Sequence, residues 1–74
     1  MSKDDTLGAV LCRLRREQGL SQEAFADLAG VHRTYISQLE RNLKSPTVEV
    51  LNKIANALGT RSSTILEFQE KGII

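Results

Sequence analysis

The sequence predicts an all-α chain of five short helices. Apolar residues recur at intervals of three and four, which places them on one face of a helix. The strict alternation of apolar and polar residues that marks a half-buried strand is absent, and β-branched residues never cluster. Glycine or asparagine follows four of the apolar stripes, at places where a left-handed residue would end a helix.

The first helix is expected over residues 6–18. Its apolar stripe has the spacing i, i+3, i+4, i+7 and consists of Leu7, Val10, Leu11 and Leu14. Thr6 is placed to cap the start of this helix, and Gly19 is placed to end it in the left-handed conformation.

The second helix is expected over residues 22–29, with Ser21 as its N-cap and Gly30 as its stop. Its buried face is expected to contain Phe25, Leu28 and Ala29. Only a short turn follows, so the next helix must pack against this one.

The third helix is expected over residues 33–41, with Ile36 and Leu39 buried. His32 stands at its N-cap position. Asn42 follows it, and asparagine tolerates the left-handed conformation better than other residues with a side chain.

Two more helices complete the chain. Thr47 caps the fourth, whose apolar stripe consists of Leu51, Ile54, Ala55 and Leu58 and which Gly59 closes. The fifth is expected over residues 62–71, with Leu66 facing the core, and the tail 72–74 follows it.

Length and composition limit the possible functions. With 74 residues, the chain is expected to form a single domain over residues 1–74, and 41% hydrophobic residues suffice for one core. One cysteine and one histidine exclude a disulfide framework and a four-ligand zinc site within the chain, so no cofactor or metal is expected. No signal peptide or membrane span is visible, which favours a cytoplasmic location. Neither a catalytic triad nor a glycine-rich phosphate loop is present, so the chain is not expected to be an enzyme or to bind a small-molecule ligand.

The most informative stretch is residues 20–40, LSQEAFADLAGVHRTYISQLE, which predicts two short helices joined by a tight turn. Ala26 is small enough to lie where the two helices cross, and Gly30 lets the chain reverse. The outer face of the second helix is polar and rich in hydrogen-bond donors, as in a helix that enters a DNA major groove. That face consists of Arg33, Thr34, Ser37, Gln38 and Arg41.

The sequence resembles the phage-repressor or Xre-type helix-turn-helix family over residues 7–66. The matching segments are 14–15, 19–22, 25–26, 29–31, 36–37, 39–41, 45–47 and 51–59. The resemblance implies a compact five-helix, lambda-repressor-like DNA-binding domain whose helix-turn-helix motif spans residues 21–41. The string HRTYISQLER also resembles the controller proteins of restriction–modification systems. Three departures are Cys12, where the family often has an arginine, Ala24, where it usually has a glutamate, and Ser62, where an apolar residue is common.

The resemblance and the residue types together imply contacts to double-stranded DNA. Arg33 can donate a bidentate pair to guanine, whereas the family counterpart of Gln22 contacts a phosphate. Several residues keep alternatives. Tyr35 either packs on the first helix of the motif or reaches DNA, and His32 is a cap or a neighbour of phosphate. Ser37 either reaches a phosphate or is a plain helix-surface serine, and the loop with Asn42 and Lys44 is otherwise a solvated loop. The predicted DNA-binding residues are Gln22, His32, Arg33, Thr34, Tyr35, Ser37, Gln38, Asn42 and Lys44, the last two in a loop that offers backbone amides and a cation. The family also implies a structural ion pair between Arg15 and Glu40.

Charge and the C-terminal residues predict a homodimer. Residues 12–45 carry six basic and four acidic groups, so one copy would bind phosphates weakly. The proposed dimer interface is the fifth helix with its tail, through Ile65, Phe68, Ile73 and Ile74, although these residues would alternatively cover the domain's own core. A two-fold dimer would place two recognition helices about 34 Å apart on a near-palindromic site.

The leading interpretation is a sequence-specific transcriptional regulator, autoregulatory in the manner of a controller protein, with RNA polymerase as a candidate partner. The alternative is a protein-interaction module such as an antitoxin, in which the apolar tail would bind a different chain.

Overall fold

The computed structural model describes residues 6–71, and in them it confirms the predicted all-α fold. Five helices follow one another: α1 (Leu7–Glu17), α2 (Gln22–Ala29), α3 (Arg33–Glu40), α4 (Val48–Ala57) and α5 (Ser62–Lys71). Within this part of the chain there is no strand, and no helix is both long and apolar enough to cross a membrane.

Three helices begin at the capping residues that the sequence predicts. The side-chain hydroxyls of Thr6, Ser21 and Thr47 each accept a hydrogen bond from the backbone N–H three residues later, at 3.0–3.1 Å. Each cap gives a partner to a donor that the first helical turn leaves unpaired. The helix starts therefore follow from local sequence.

The first four helices end in the same way. A residue in the left-handed conformation follows each helix, and the next N–H reaches back to a carbonyl of the last turn, as in a Schellman motif. The left-handed residue is Gly19 after α1, Gly30 after α2 and Gly59 after α4, each with φ near +70°. After α3 it is Asn42, with φ +60°.

The core lies where all five helices converge. Its largest fully buried side chains are Phe25, Leu11, Ile36, Ile54, Ile65 and Val10. Helix α1 contacts both α3 and α5, while α2 packs against both α3 and α4. Within residues 6–71, α3 therefore packs against α1 and α2, and the residues of its outer face are accessible.

One predicted core residue is wrong. Leu28 is 61% exposed, because α2 buries a narrow stripe formed by Phe25, Ala26 and Ala29. Leu28 lies beside this stripe and faces away from the neighbouring helices.

Candidate functional site

The inner face of α3 anchors this helix, and its outer face is exposed. Ile36 and Leu39 are buried to 1–2% exposure and fix the register of the helix against the core. Arg33 and Thr34 at its start are exposed, and Ser37 and Gln38 in the next turn are half-buried. The structure therefore brings the four predicted contact residues onto one continuous polar surface.

Tyr35 and His32 lie beside this surface with different surroundings. Tyr35 is half-buried and packs against the core, so its ring contributes to folding while part of it stays accessible. His32 is the N-cap of α3, but its side chain makes no capping hydrogen bond and is exposed. The Tyr35 N–H, which a capping side chain would otherwise bond, donates to the His32 backbone carbonyl at 3.0 Å.

An ion pair joins α1 to α3. Arg15 Nε lies 2.7 Å from Glu40 Oε2, and a second guanidinium nitrogen donates to Glu40 Oε1 at 3.1 Å. Both side chains are at least nine-tenths buried. The hydrogen bond to Glu40 raises the pKa of Arg15 above its ordinary value, against the opposing effect of burial.

Gln22 shares the same carboxylate. Its Nε2 donates to Glu40 Oε1 at 3.0 Å, which orients the amide at the start of α2. A primary amide has two N–H donors, so one remains for a phosphate oxygen. Glu40 thus connects α1, α2 and α3 at a single point.

The loop after α3 differs from the expectation at Asn42. The N–H groups of Asn42 and Leu43 donate to carbonyls of the last turn of α3, so these two amides are not offered to phosphate. The Asn42 side chain turns towards α1, where it bonds Gly8 and Thr6. Lys44 is exposed, and it remains the cation of this loop.

Sequence reasoning missed Gly8. It is buried inside the first turn of α1, where a Cβ atom would lie 2.5 Å from the Leu39 carbonyl oxygen and 2.6 Å from that of Glu40. A glycine in a helix interior lowers helix stability, which is a signal that its position has another requirement. Here the requirement is the close approach of α1 to the end of α3.

The predicted dimer surface needs a correction on α5. Ile65 is fully buried and belongs to the core, whereas Leu66, which was expected inside, is 44% exposed. The two residues are adjacent, and one step along a helix turns a side chain through about 100°. Phe68 is half-buried and packs against the core together with Ile65. Ile73 and Ile74 lie outside the described residues.

The sequence matches a known family and known regulators. The profile of the HTH_3 helix-turn-helix family matches residues 13–65. An uncharacterised HTH-type transcriptional regulator of Sinorhizobium fredii, y4dJ, is 45% identical over 53 residues, which span 72% of this chain and 69% of that protein. For four further regulators and repressors the matched region covers 34–60% of their own length, so this chain corresponds to only part of them.

Solved structures of two other proteins illustrate the shared fold. The restriction-modification controller protein C.AhdI from Aeromonas hydrophila matches with a TM-score of 0.78 and 34% identity, over 80% of this chain and 89% of that one. SinR, a master regulator for biofilm formation solved in complex with DNA, also gives a TM-score of 0.78 and 34% identity, over 82% of this chain and 98% of that one.

Proposed function

We propose a function from one premise: this chain belongs to the HTH_3 helix-turn-helix family. Its relatives are transcriptional regulators, controller proteins of restriction–modification systems among them. We infer that the chain is a sequence-specific DNA-binding regulator that binds a near-palindromic operator as a homodimer. The likeness to controller proteins supports binding at its own promoter.

The observation that carries this proposal is the outer face of α3. Its polar side chains are accessible, while Ile36 and Leu39 on the opposite face hold the helix rigidly on the core. A major groove admits one α-helix, and in helix-turn-helix proteins the N-terminal residues of the second helix contact base edges. Arg33 and Thr34 occupy that end of α3.

The roles proposed for single residues follow from their chemistry. Arg33 donates hydrogen bonds to the O6 and N7 atoms of guanine. Gln38 can form a pair of hydrogen bonds with adenine, and Thr34 can contact a thymine methyl group. Lys44 and the second donor of Gln22 bind phosphate oxygens. Phosphate contacts beside the groove can be added by residues on or next to the outer face of α3, namely Ser37, Tyr35 and His32.

The proposed dimer surface is the exposed face of α5. Among the residues that the structure describes, Leu66 is the large exposed apolar side chain on this face. A dimer doubles the number of phosphate contacts, which matters because the positive charge of residues 12–45 is small. It also places two copies of α3 on the same face of a duplex, about 34 Å apart. A two-fold symmetric protein requires a near-palindromic site.

Selection of bound duplexes from a random pool tests the proposed function. The purified protein is used at about 150 mM salt, where weak non-specific binding is suppressed, and its mass in solution is measured alongside. We expect a palindromic motif and a dimeric mass. Recovery of random sequences only would overturn the proposal and favour a protein-interaction module, for which a co-purifying partner would then be sought.

A further inference from the structure

The end of α3 differs from the other three left-handed helix ends. Glycine occupies this position after α1, α2 and α4, where a Cβ atom would meet nothing within 4 Å. After α3 the residue is Asn42, which has a side chain in a conformation that side chains rarely adopt. Glycine would satisfy the backbone here as it does elsewhere, so the side chain of Asn42 requires an explanation.

That side chain forms two hydrogen bonds to the start of α1. Its Oδ1 accepts from the Gly8 backbone N–H at 3.0 Å, and its Nδ2 donates to Thr6 Oγ1 at 3.1 Å. The same Thr6 oxygen accepts the Ala9 N–H at 3.1 Å. The Gly8 N–H is one of the donors that the first turn of a helix cannot pair internally. We call these three residues, Asn42, Thr6 and Gly8, the Asn42–α1 contact.

The Asn42–α1 contact admits little change in geometry. At Gly8 a Cβ atom would also lie 2.8 Å from Asn42 Oδ1, in addition to its close approach to the Leu39 and Glu40 carbonyls. The backbone of α1 therefore lies directly against the last turn of α3. With the Arg15–Glu40 ion pair, α1 holds the C-terminal half of α3 at two separate points.

We propose that Asn42 is a positioning residue, which sets the orientation of α3 in the groove through its bonds to Gly8 and Thr6 rather than by touching phosphate. This inference rests on the proposed DNA binding. The backbone N–H of Asn42 is used at the end of α3, and its side chain points to α1. A helix that can tilt at its C-terminal end loses alignment with base edges while phosphate attraction persists. The contact therefore supports sequence discrimination more than affinity.

The variant Asn42→Gly isolates the side chain, because glycine preserves the left-handed backbone without strain. Hydrogen exchange of the Gly8 amide, measured by NMR without DNA, should accelerate about tenfold when its acceptor is removed. The ratio of affinities for the selected and a random duplex should fall by up to about tenfold, because a contact within the protein can shift this ratio by no more than its own contribution. Affinity for the random duplex and its salt dependence should stay unchanged.

Thr6 provides a matched pair of variants on the other helix. Thr6→Val removes the oxygen to which Asn42 donates. It should lower the ratio of affinities for the selected and the random duplex, although the substituted residue lies at the start of α1 and not on α3. Thr6→Ser keeps the oxygen and should behave like the wild type. Helix content and melting temperature are measured for both variants, because they report loss of the α1 cap. Loss of the cap should lower the affinity for the two duplexes by about the same factor and so leave their ratio unchanged.

Three results would overturn the inference. An unchanged Gly8 exchange rate in Asn42→Gly would show that the contact does not exist in solution. An equal loss of affinity for both duplexes would assign Asn42 to phosphate, and an unchanged ratio would show that the contact does not orient α3. If the wild-type protein binds no DNA, the proposed function fails and the positioning role with it, while the exchange rates still report the contact by itself.

Discussion

At the scale of single residues, Glu40 organises the helix-turn-helix motif. Its carboxylate accepts from Arg15 through both oxygens and from Gln22 through Oε1. The charged pair is almost fully buried, so its members depend on each other. The family resemblance implies the Arg15–Glu40 pair. The hydrogen bond from Gln22 to Glu40 is seen only in the structure, because neither the spacing of the two residues nor their types predicts that they meet.

Glu40→Ala should lower the free energy of unfolding by about 3–5 kcal/mol, because it leaves the buried Arg15 guanidinium without its counter-ion, with the Leu20 carbonyl as its remaining oxygen partner. Urea unfolding followed by circular dichroism measures the loss. Glu49→Ala is the control: the Glu49–Lys53 pair is 3.8 Å long and exposed, so its removal should cost about 0.5 kcal/mol or less. Equal effects of the two variants would contradict the structural importance of the buried pair.

Lys44→Ala should weaken binding to every duplex by the same factor, because a phosphate contact carries no sequence information. The slope of log affinity against log salt concentration should fall by about one. Lys53→Ala removes an equal charge from an exposed position of α4, outside the motif 21–41, and should leave the slope unchanged. A change in base preference caused by Lys44→Ala would instead place this lysine in a groove.

At the scale of helices, sequence signals predict where the elements begin and end, and less well which face is buried. The caps Thr6, Ser21 and Thr47 act within three residues, so local sequence specifies them. The burial of Ile65 in place of Leu66 depends on how α5 is rotated against α1 and α4. The apolar pattern of α5 is compatible with two orientations that differ by one residue. Packing against helices distant in the sequence decides which of the two residues is buried.

The contact between α1 and α3 could not be predicted from the sequence, for a similar reason. Asn42 is predicted correctly as a left-handed stop, which is a local property. Its side-chain partners lie 34 and 36 residues earlier, and no pattern in the sequence links them. Gly8 carries a weak signal as a glycine inside a helix, but that signal does not identify the surface it approaches.

Gly8→Ala should destabilise the protein by about 1–3 kcal/mol, because the added methyl group overlaps backbone atoms that cannot move independently. Helix propensity alone predicts the opposite sign, a gain of about 1 kcal/mol. Thermal unfolding decides between them. Asn52→Ala, on the exposed side of α4, is the propensity control and should raise Tm slightly. A higher Tm for Gly8→Ala would contradict the close approach of α1 and α3.

At the scale of the whole molecule, α1 connects the two surfaces to which we assign function. It packs against α3, which is proposed to enter DNA, and against α5, which is proposed to join two copies. Because α3 and α5 make few contacts with each other, the two surfaces can be changed separately. Phe68 is a poor site for such a change, because it is half-buried against the core and also contributes to folding.

Leu66→Asp should convert the proposed dimer to a monomer without unfolding the protein, because Leu66 is already 44% exposed. Light scattering gives the mass, and circular dichroism gives the helix content. Leu28→Asp makes the same substitution at the exposed surface of α2 and should remain dimeric. If both variants stay dimeric, the interface lies elsewhere than on α5.

The most direct test of the account is to repeat the selection of duplexes with the Arg33→Ala variant. If α3 reads bases through this arginine, the selected motif should return with one position in each half-site degenerate. Affinity for the original motif should fall by about 1–3 kcal/mol, while binding to random duplexes changes little. An unchanged motif, or equal weakening at every position, would contradict base reading by Arg33 and with it the proposed orientation of α3 in the groove.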